Sequence, residues 1–387
     1  MTLLVAAALM APFASALTLN GTTEAATTRW IVGFHVMPDI QEGQLYQEAK
    51  VISTTPDLRF ITVETPDFQS FSFRASLDEN VRYVETDVSD HQLYYTPNDY
   101  YWTHASNWGV KKIGAETAWD RTLGSTSIKD GHIDSGMVIG HEDLSGSRFL
   151  AGYDYKDNDG TPQDTRGCSW HGSHTMGTVA ATINNGKGFA GLAQITEIPI
   201  KIFGGGNCLA ATTTNIANAI KYAGNQGAQI SSNSWGGGAF STAINDAITY
   251  SRGKGTIFVA AAGNGGCSNC IGQPWVGQEA NVIIVEATDS NDAAASFNSK
   301  GPQSDVAAPG VYVGSAGGPG NSYYIMDGTS MATPHVAGVA ALIKTLNPTF
   351  TELQVESRLK STAVDLGTPG EDDTFGAGRI NAAAAVY

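Results

Sequence analysis

The chain has 387 residues, with 22 lysines and arginines against 37 aspartates and glutamates and a formal net charge of −15. That length allows two or three units, or one large α/β domain with an ample core. The acidic balance argues against nucleic acid or an anionic membrane as a partner, because both recruit basic patches.

Residues 3–16 form an apolar run that ends in Ala14-Ser15-Ala16, the small-residue pattern of a signal-peptide cleavage site, although no lysine or arginine precedes it. The run is too short to span a bilayer. Residues 1–16 therefore read as an export signal, and the protein as secreted. Four cysteines in an exported chain point to disulfides, with three possible connectivities.

Between residues 29 and 90, apolar and polar positions alternate in Trp30-Ile31-Val32-Gly33-Phe34, Phe60-Ile61-Thr62-Val63 and Val81-Arg82-Tyr83-Val84-Glu85. These predict short strands around a helical stretch near Gln44 to Val51. From Trp108 onward, buried parallel strands are predicted at 198–202, 229–232, 256–261 and 282–285, alternating with helices at 210–224, 239–252 and 333–346. Such alternation implies an α/β domain with a mostly parallel sheet. The segment Ile128-Lys129-Asp130-Gly131-His132-Ile133 is unusual for a central strand. Its polar side chains each need a partner if buried, and His132 shares the parity of Asp134.

Gly328-Thr329-Ser330-Met331-Ala332-Thr333-Pro334-His335 puts a hydroxyl at a glycine-led turn that opens an apolar helical run. A serine nucleophile needs a base within hydrogen-bond reach and a third group that orients the base. His171-Gly172-Ser173-His174 supplies imidazoles, and Ile133-Asp134-Ser135-Gly136 supplies a carboxylate at a strand end. Spacing alone leaves the base open between His171 and His174. The chain order Asp134, His171, Ser330 is the one found in subtilisin.

These blocks, with Ala260-Ala261-Ala262-Gly263-Asn264, Ser234-Trp235-Gly236-Gly237 and Gly376-Ala377-Gly378-Arg379-Ile380-Asn381, resemble the subtilases, subtilisin-like serine proteases, over about residues 107–387. The resemblance implies a subtilisin-like three-layer α/β catalytic domain at 96–387, preceded by a small α+β propeptide at 17–95. It assigns Asp134, His171 and Ser330 as the triad and Asn264 as an oxyanion donor beside the Ser330 N–H. His174 is then a packing residue. Ser234, Trp235 and Gly236 on one side and Ala261, Ala262 and Gly263 on the other would line the substrate cleft. Trp235 stands where many relatives carry leucine. No acidic residue marks the pocket floor, so apolar or broad selectivity is expected, with protein or peptide substrates and the chain's own propeptide as intramolecular inhibitor. A monomer is expected.

The same resemblance pairs Cys168 with Cys208, leaving Cys267 and Cys270 to close a small loop. It also implies structural Ca²⁺. A thermitase-like loop supplies Asp154, Asp157, Asp159, Thr161 and Gln163, and a second site takes Asp143 and Asn185, with no N-terminal ligand identified. Two alternatives stand beside this reading. One is a catalytically inactive subtilase fold acting as a binding module. The other is a zinc-dependent hydrolase built on Cys168-x-x-His171-x-x-His174 and Cys267-x-x-Cys270.

Overall fold

The computed structural model describes residues 28–39, 44–45, 49–87, 95–237, 239–271 and 282–387. The expected export signal lies outside them, as do residues 93 and 94 just before the expected boundary between 95 and 96. The chain divides into two compact units, residues 1–92 and 93–387.

In the first unit, strands β1 (Thr28–Phe34), β2 (Gln44–Leu45), β3 (Ala49–Thr55), β4 (Phe60–Thr65) and β5 (Val81–Thr86) form an antiparallel sheet ordered β2-β3-β4-β1-β5. Where a helix was predicted near Gln44 to Val51, the described residues are strands β2 and β3. The β-branched run Val51-Ile52-Ser53-Thr54-Thr55 suits a pleated surface, and it pairs instead with Phe60–Thr65. The helix of this unit is α1 (Phe68–Leu77), started by the Asp67 carboxylate, which accepts the Ser70 N–H at 3.1 Å. Val32, Phe34, Ile61, Val63 and Phe71 form its core.

The second unit opens with helices α2 (Trp108–Lys112) and α3 (Ala115–Trp119), then β6 (Lys129–Asp134), β7 (Tyr153–Asp154), α4 (His171–Ala180) and β8 (Thr196–Lys201). The short strands β9 (Phe203–Gly204) and β10 (Leu209–Ala210) follow, then α5 (Thr213–Asn225), β11 (Ile230–Asn233), α6 (Thr242–Arg252), β12 (Ile257–Ala261), β13 (Ile283–Thr288) and β14 (Val306–Pro309). The hairpin of β15 (Val313–Ala316) and β16 (Tyr323–Met326) leads into α7 (Thr329–Leu346), and α8 (Glu352–Ser361) and α9 (Ala382–Ala385) complete the chain. Seven strands form a parallel sheet ordered β14-β13-β12-β11-β6-β8-β7.

Alternation along these strands builds two cores. Ile257, Val259, Ile283 and Val285 face one side and pack with Ala332, Val336, Val339 and Ile343 of α7. Ile133, Ile198, Phe258 and Ile284 face the other and meet Ile216 and Ile220 of α5 and Ile244 and Ile248 of α6. Helices on both faces make three layers. Helix α7 is apolar nearly all round and buried along most of its length, as a helix at the centre of a domain must be. It begins four residues earlier than its periodicity predicted, so Ser330 lies in its first turn.

The sheet also buries Glu286 of β13, whose Oε1 accepts the Ser304 hydroxyl at 2.7 Å while Oε2 has no partner among the described residues. Burial pushes this carboxyl up to about 8, so it is neutral in the folded protein at pH 7 and ionised above about 4.5 when unfolded. The unfolded state thus loses its proton first, and stability from this group is present below pH 4.5 and declines as the pH rises through 8. Glu286→Gln should abolish that decline. In a Ser330→Ala background, its gain in thermal midpoint over the parent should be larger at pH 9 than at pH 5, by the equivalent of roughly 4 kcal/mol. An equal gain at both pH values would contradict a neutral Glu286.

Candidate active site

Asp134 is the last residue of β6 and His171 the first of α4, so the carboxylate and the imidazole come from elements that end and begin at the same edge of the sheet. Asp134 is fully buried, and its Oδ1 is 2.8 Å from His171 Nδ1 and accepts the Ser135 N–H at 2.7 Å. Close backbone packing holds this geometry. A Cβ on Gly172 would lie 2.4 Å from the Gly136 carbonyl, so the first turn of α4 presses directly on the chain after Asp134. Burial raises the Asp134 carboxyl, but the charge and hydrogen bond of His171 outweigh it and bring the group below the usual carboxylate range. For His171, desolvation acts downward and the Asp134 charge and hydrogen bond act upward, leaving the imidazole above its ordinary value.

Ser330 sits in the first turn of α7, which packs against α4. Its hydroxyl donates to the Ser234 carbonyl at 3.0 Å, and among the described residues no hydrogen bond joins it to His171. Pro334 has no N–H, so the i→i−4 bond to the Ser330 carbonyl is missing, and the Ser234 hydroxyl donates to that carbonyl instead at 2.8 Å. Ser234 and Ser330 are thus fixed together by two reciprocal bonds.

Asn264 follows β12. Its Oδ1 faces the Thr329 N–H at 3.0 Å and the Thr329 hydroxyl at 2.9 Å. A backbone N–H can only donate, so the atom facing it must be the amide oxygen, which leaves the NH₂ for the cleft. That Nδ2 lies 3.4 Å from where a Cβ on Gly328 would sit. The Ser330 N–H is among the first-turn donors that a helix leaves without an internal partner. Two donors therefore flank the serine at the positive end of a helix.

A cavity of about 360 Å³ is lined by Ser234, Trp235, Gly236, Ala261, Gly263, Asn264 and Ser330, with Gly237, Gly265, Cys270, Ser299 and Thr329. Among the described residues its lining includes no carboxylate. Ala262 does not line it; its side chain packs in the core beneath, as strand alternation requires. A second cavity of about 360 Å³, lined by Asp134, His171, Phe203, Ser234, Trp235 and the Cys168–Cys208 bridge, adjoins the first. Trp235 is 9% exposed and packs in the core while edging both cavities.

Cys168 pairs with Cys208 and Cys267 with Cys270, with Cα separations of 4.6 and 5.8 Å. No cysteine is free. The zinc alternative fails on this point, because disulfide sulfurs are not thiolate ligands. His174 is buried, with Nε2 bonded to the Val313 and Tyr324 carbonyls at 3.0 and 3.2 Å, and burial together with the His171 charge pushes it down to about 3. It faces away from Asp134 into the β15–β16 hairpin.

Comparison with known proteins agrees with this geometry. Residues 127–378 match the Subtilase family of peptidases. The chain belongs to the subtilases. It is 38% identical to thermitase of Thermoactinomyces vulgaris over 293 residues, 76% of this chain and 99% of that protein. It is 30% identical to an alkaline protease of Shouchella clausii over 395 residues, 98% of this chain and 96% of that one. A solved protease of Pseudoalteromonas arctica shares its fold with a TM-score of 0.65 at 33% identity, covering 76% of this chain and 99% of that one. This subtilase is a serine endopeptidase, and proteins are its substrates.

The residues expected to hold metal divide into two groups. Asp143 is buried and accepts the Asn185 amide at 2.7 Å and the Phe189 N–H at 3.0 Å. Beside it, buried Asp99 accepts the Asn184 N–H through Oδ2, and its Oδ1 is unpartnered. Burial lifts both carboxyls to about 6, with the Asp143 charge adding to the rise at Asp99 and the Glu142 charge adding to that at Asp143. Two such carboxylates with an orphaned oxygen fit a hard cation. Sequence reading did not single out Asp99, because no motif surrounds it. In the acidic loop, Lys201 Nζ already bridges Asp154 Oδ2 at 2.7 Å and Asp157 Oδ2 at 3.0 Å. Asp159 accepts the Thr161 N–H, and Gln163 Oε1 accepts the Ile139 N–H. This loop is closed by a lysine, and its five expected ligands fit a cation less well.

Proposed function

We propose that this subtilase is an exported endopeptidase, made as a precursor whose residues 17–95 act as propeptide, with the active enzyme from about residue 96. Ser330 attacks the scissile carbonyl after its hydroxyl turns from the Ser234 carbonyl to His171. His171 takes the proton and returns it to the leaving amine, while Asp134 fixes the tautomer and stabilises the imidazolium. The Asn264 amide and the Ser330 N–H receive the oxyanion. The observation that carries this reading is the 2.8 Å contact of His171 with a buried Asp134 held in its ionised form. Alignment to the alkaline protease over nearly the whole chain supports a precursor that includes the first unit. The cavity without a carboxylate supports apolar or broad selectivity. No helix among the described residues is long and apolar enough to cross a membrane.

The test is hydrolysis of unfolded casein with and without a serine-directed phosphonofluoridate. A single adduct on Ser330, loss of activity in step with it, and a mature form lighter by about ten kilodaltons are expected for a cut near residue 95. Casein hydrolysis that survives full Ser330 labelling would overturn the assignment.

Calcium is proposed at Asp143 with Asp99 and Asn185, where it would neutralise two buried carboxylates and tie the segment at 95–104 to the loop at 184–189. It supplies no step of the reaction. Chelation should lower the thermal midpoint of Ser330→Ala protein by several degrees, and Asp143→Asn should remove the chelator's effect. A chelator response unchanged in Asp143→Asn would place any calcium elsewhere.

A further inference from the structure

Beyond the triad, the Oδ2 side of Asp134 meets a buried polar chain for which the reaction above has no use. His132 Nδ1 is 3.1 Å from Asp130 Oδ2, His132 Nε2 is 2.8 Å from the Thr175 hydroxyl, and that hydroxyl is 3.4 Å from Asp134 Oδ2. Asp130, His132, Asp134 and Thr175 are all at most 1% exposed. Thr175 comes from α4, one turn after His171, so the chain links the strand that carries Asp134 to the helix that carries His171.

Proton positions along this chain are inferred from the hydrogen-bond partners of each group. Asp130 Oδ1 accepts the Ser232 N–H at 3.0 Å, and its register partner on β8 is Glu197, fully buried, with neither oxygen paired to an N–H or O–H. Two adjacent buried carboxyls hold one proton between them. Glu197 keeps it, because Asp130 is the one that already receives a backbone N–H, from Ser232. Asp130 is then an anion, and His132 Nδ1 must carry a proton towards it. Around Thr175 Oγ1 lie three acceptors, Asp134 Oδ2, the His171 carbonyl at 3.1 Å and the Gly172 carbonyl at 3.2 Å. The one group that can donate to this oxygen is His132 Nε2.

We infer that His132 is doubly protonated, donates to Thr175, and so directs the single Thr175 O–H onto Asp134 Oδ2, making His132 and Thr175 positioning residues for the catalytic carboxylate. An ionised acceptor outcompetes the two carbonyls for that proton. Without it, Asp134 Oδ2 is a buried anionic oxygen with no donor, free to tilt away from the geometry that holds His171 Nδ1. This inference rests on the triad roles proposed above.

Asp130, His132 and Glu197 also form the one group among the described residues whose potential ligand atoms all lie within 4.8 Å of one another. A metal there would need the bare Nδ1 lone pair of His132 and would exclude the doubly protonated form. The two arrangements are therefore mutually exclusive.

The experiment measures kcat and KM of the mature enzyme on a peptide substrate, together with bound metal by elemental mass spectrometry. Thr175→Val should lower kcat about 3- to 10-fold with KM unchanged, the 3.4 Å bond being a long one. Thr175→Ser should return kcat to within about twofold of wild type. Replacing Asp130, His132 and Glu197 together by leucine removes the polar chain, while the nearby Arg148 guanidinium keeps its bonds to the Ile195 and Ala180 carbonyls and the Thr182 hydroxyl, and should give the same loss of kcat in a protein that still matures. That variant decides the matter should Thr175→Val fail to fold. The downfield proton resonance between His171 and Asp134 should shift in both. Wild-type kcat in either variant, or one equivalent of zinc in the wild type that the leucine variant lacks, would overturn the inference alone. An inactive wild type would overturn it together with the triad assignment.

Discussion

Purified Ser330→Ala protein is expected to remain at the full precursor mass and to hydrolyse casein some 10⁴- to 10⁶-fold more slowly than the wild type, a scale set by subtilisin rather than by this chain. The loss is large because the hydroxyl is the one group of the site that forms a bond to the substrate. What remains after its removal is expected to come from binding and from the proposed oxyanion donors, the Asn264 side-chain amide and the Ser330 N–H, which act on water-mediated hydrolysis as well. The folded state should hardly notice the change. Ser330 Oγ makes one hydrogen bond, to the Ser234 carbonyl, while the bond from the Ser234 hydroxyl to the Ser330 carbonyl survives. The thermal midpoint should therefore stay within a few degrees of the parent. Intact mass after prolonged incubation is the deciding measurement. Complete maturation of the pure variant would show that the cut does not need its own serine, and the precursor reading would then require a second protease. Conversion only after a trace of wild-type enzyme is added would show that the junction is cleavable and that the variant lacks only the chemistry.

The residues of the proposed triad stood out in the sequence because each sits in a short block whose local shape is fixed by small residues: Asp134 before Ser135-Gly136, His171 before Gly172, Ser330 after Gly328. The parallel strands were legible for a related reason. Runs such as Ile257-Phe258-Val259-Ala260-Ala261 are apolar on both faces, which only a strand covered on both sides tolerates. The errors fall where side-chain periodicity is silent. Gln44 to Val51 carries enough polar residues at helical spacing to suggest a helix, but strand pairing with Phe60–Thr65 decides it, and pairing is a long-range property. Asp99 escaped notice because its partner in space, Asp143, lies 44 residues away and no local pattern marks either as half of a pair. The polar strand before Asp134 was visible as an anomaly, and its partners were not. Thr175 and Glu197 come from two separate segments, and only the fold places them against His132 and Asp130. In the same way, Lys201 reads as an ordinary strand residue until its ammonium is seen between Asp154 and Asp157.

Asn264→Ala is expected to lower kcat about 10²- to 10³-fold with little change in KM, again on the subtilisin scale. The ground-state carbonyl oxygen of a bound peptide carries little charge and lies off the position that the tetrahedral oxyanion will take. A donor aimed at the latter therefore acts on the barrier and not on binding. The way Asn264 is held sharpens the test. Thr329 uses both its N–H and its hydroxyl to grip Oδ1, so the orientation of the amide is set from the serine's own neighbour. Asn264→Asp preserves both of those bonds and removes only the cleft-facing N–H₂, replacing it with an acceptor and a charge of the wrong sign. It should fall at least as far as the alanine variant. Thr329→Val removes one of the two grips, at 2.9 Å, together with the bond that the Thr329 hydroxyl accepts from the Gly263 N–H at 3.1 Å, and leaves the donor in place but looser. Its kcat should lie between wild type and Asn264→Ala. That order, wild type above Thr329→Val above Asn264→Ala at or above Asn264→Asp, is specific to an oxyanion donor. Were Asn264 only a turn-forming residue before Gly265-Gly266, aspartate would serve as well as asparagine, and the aspartate variant would keep most of the activity.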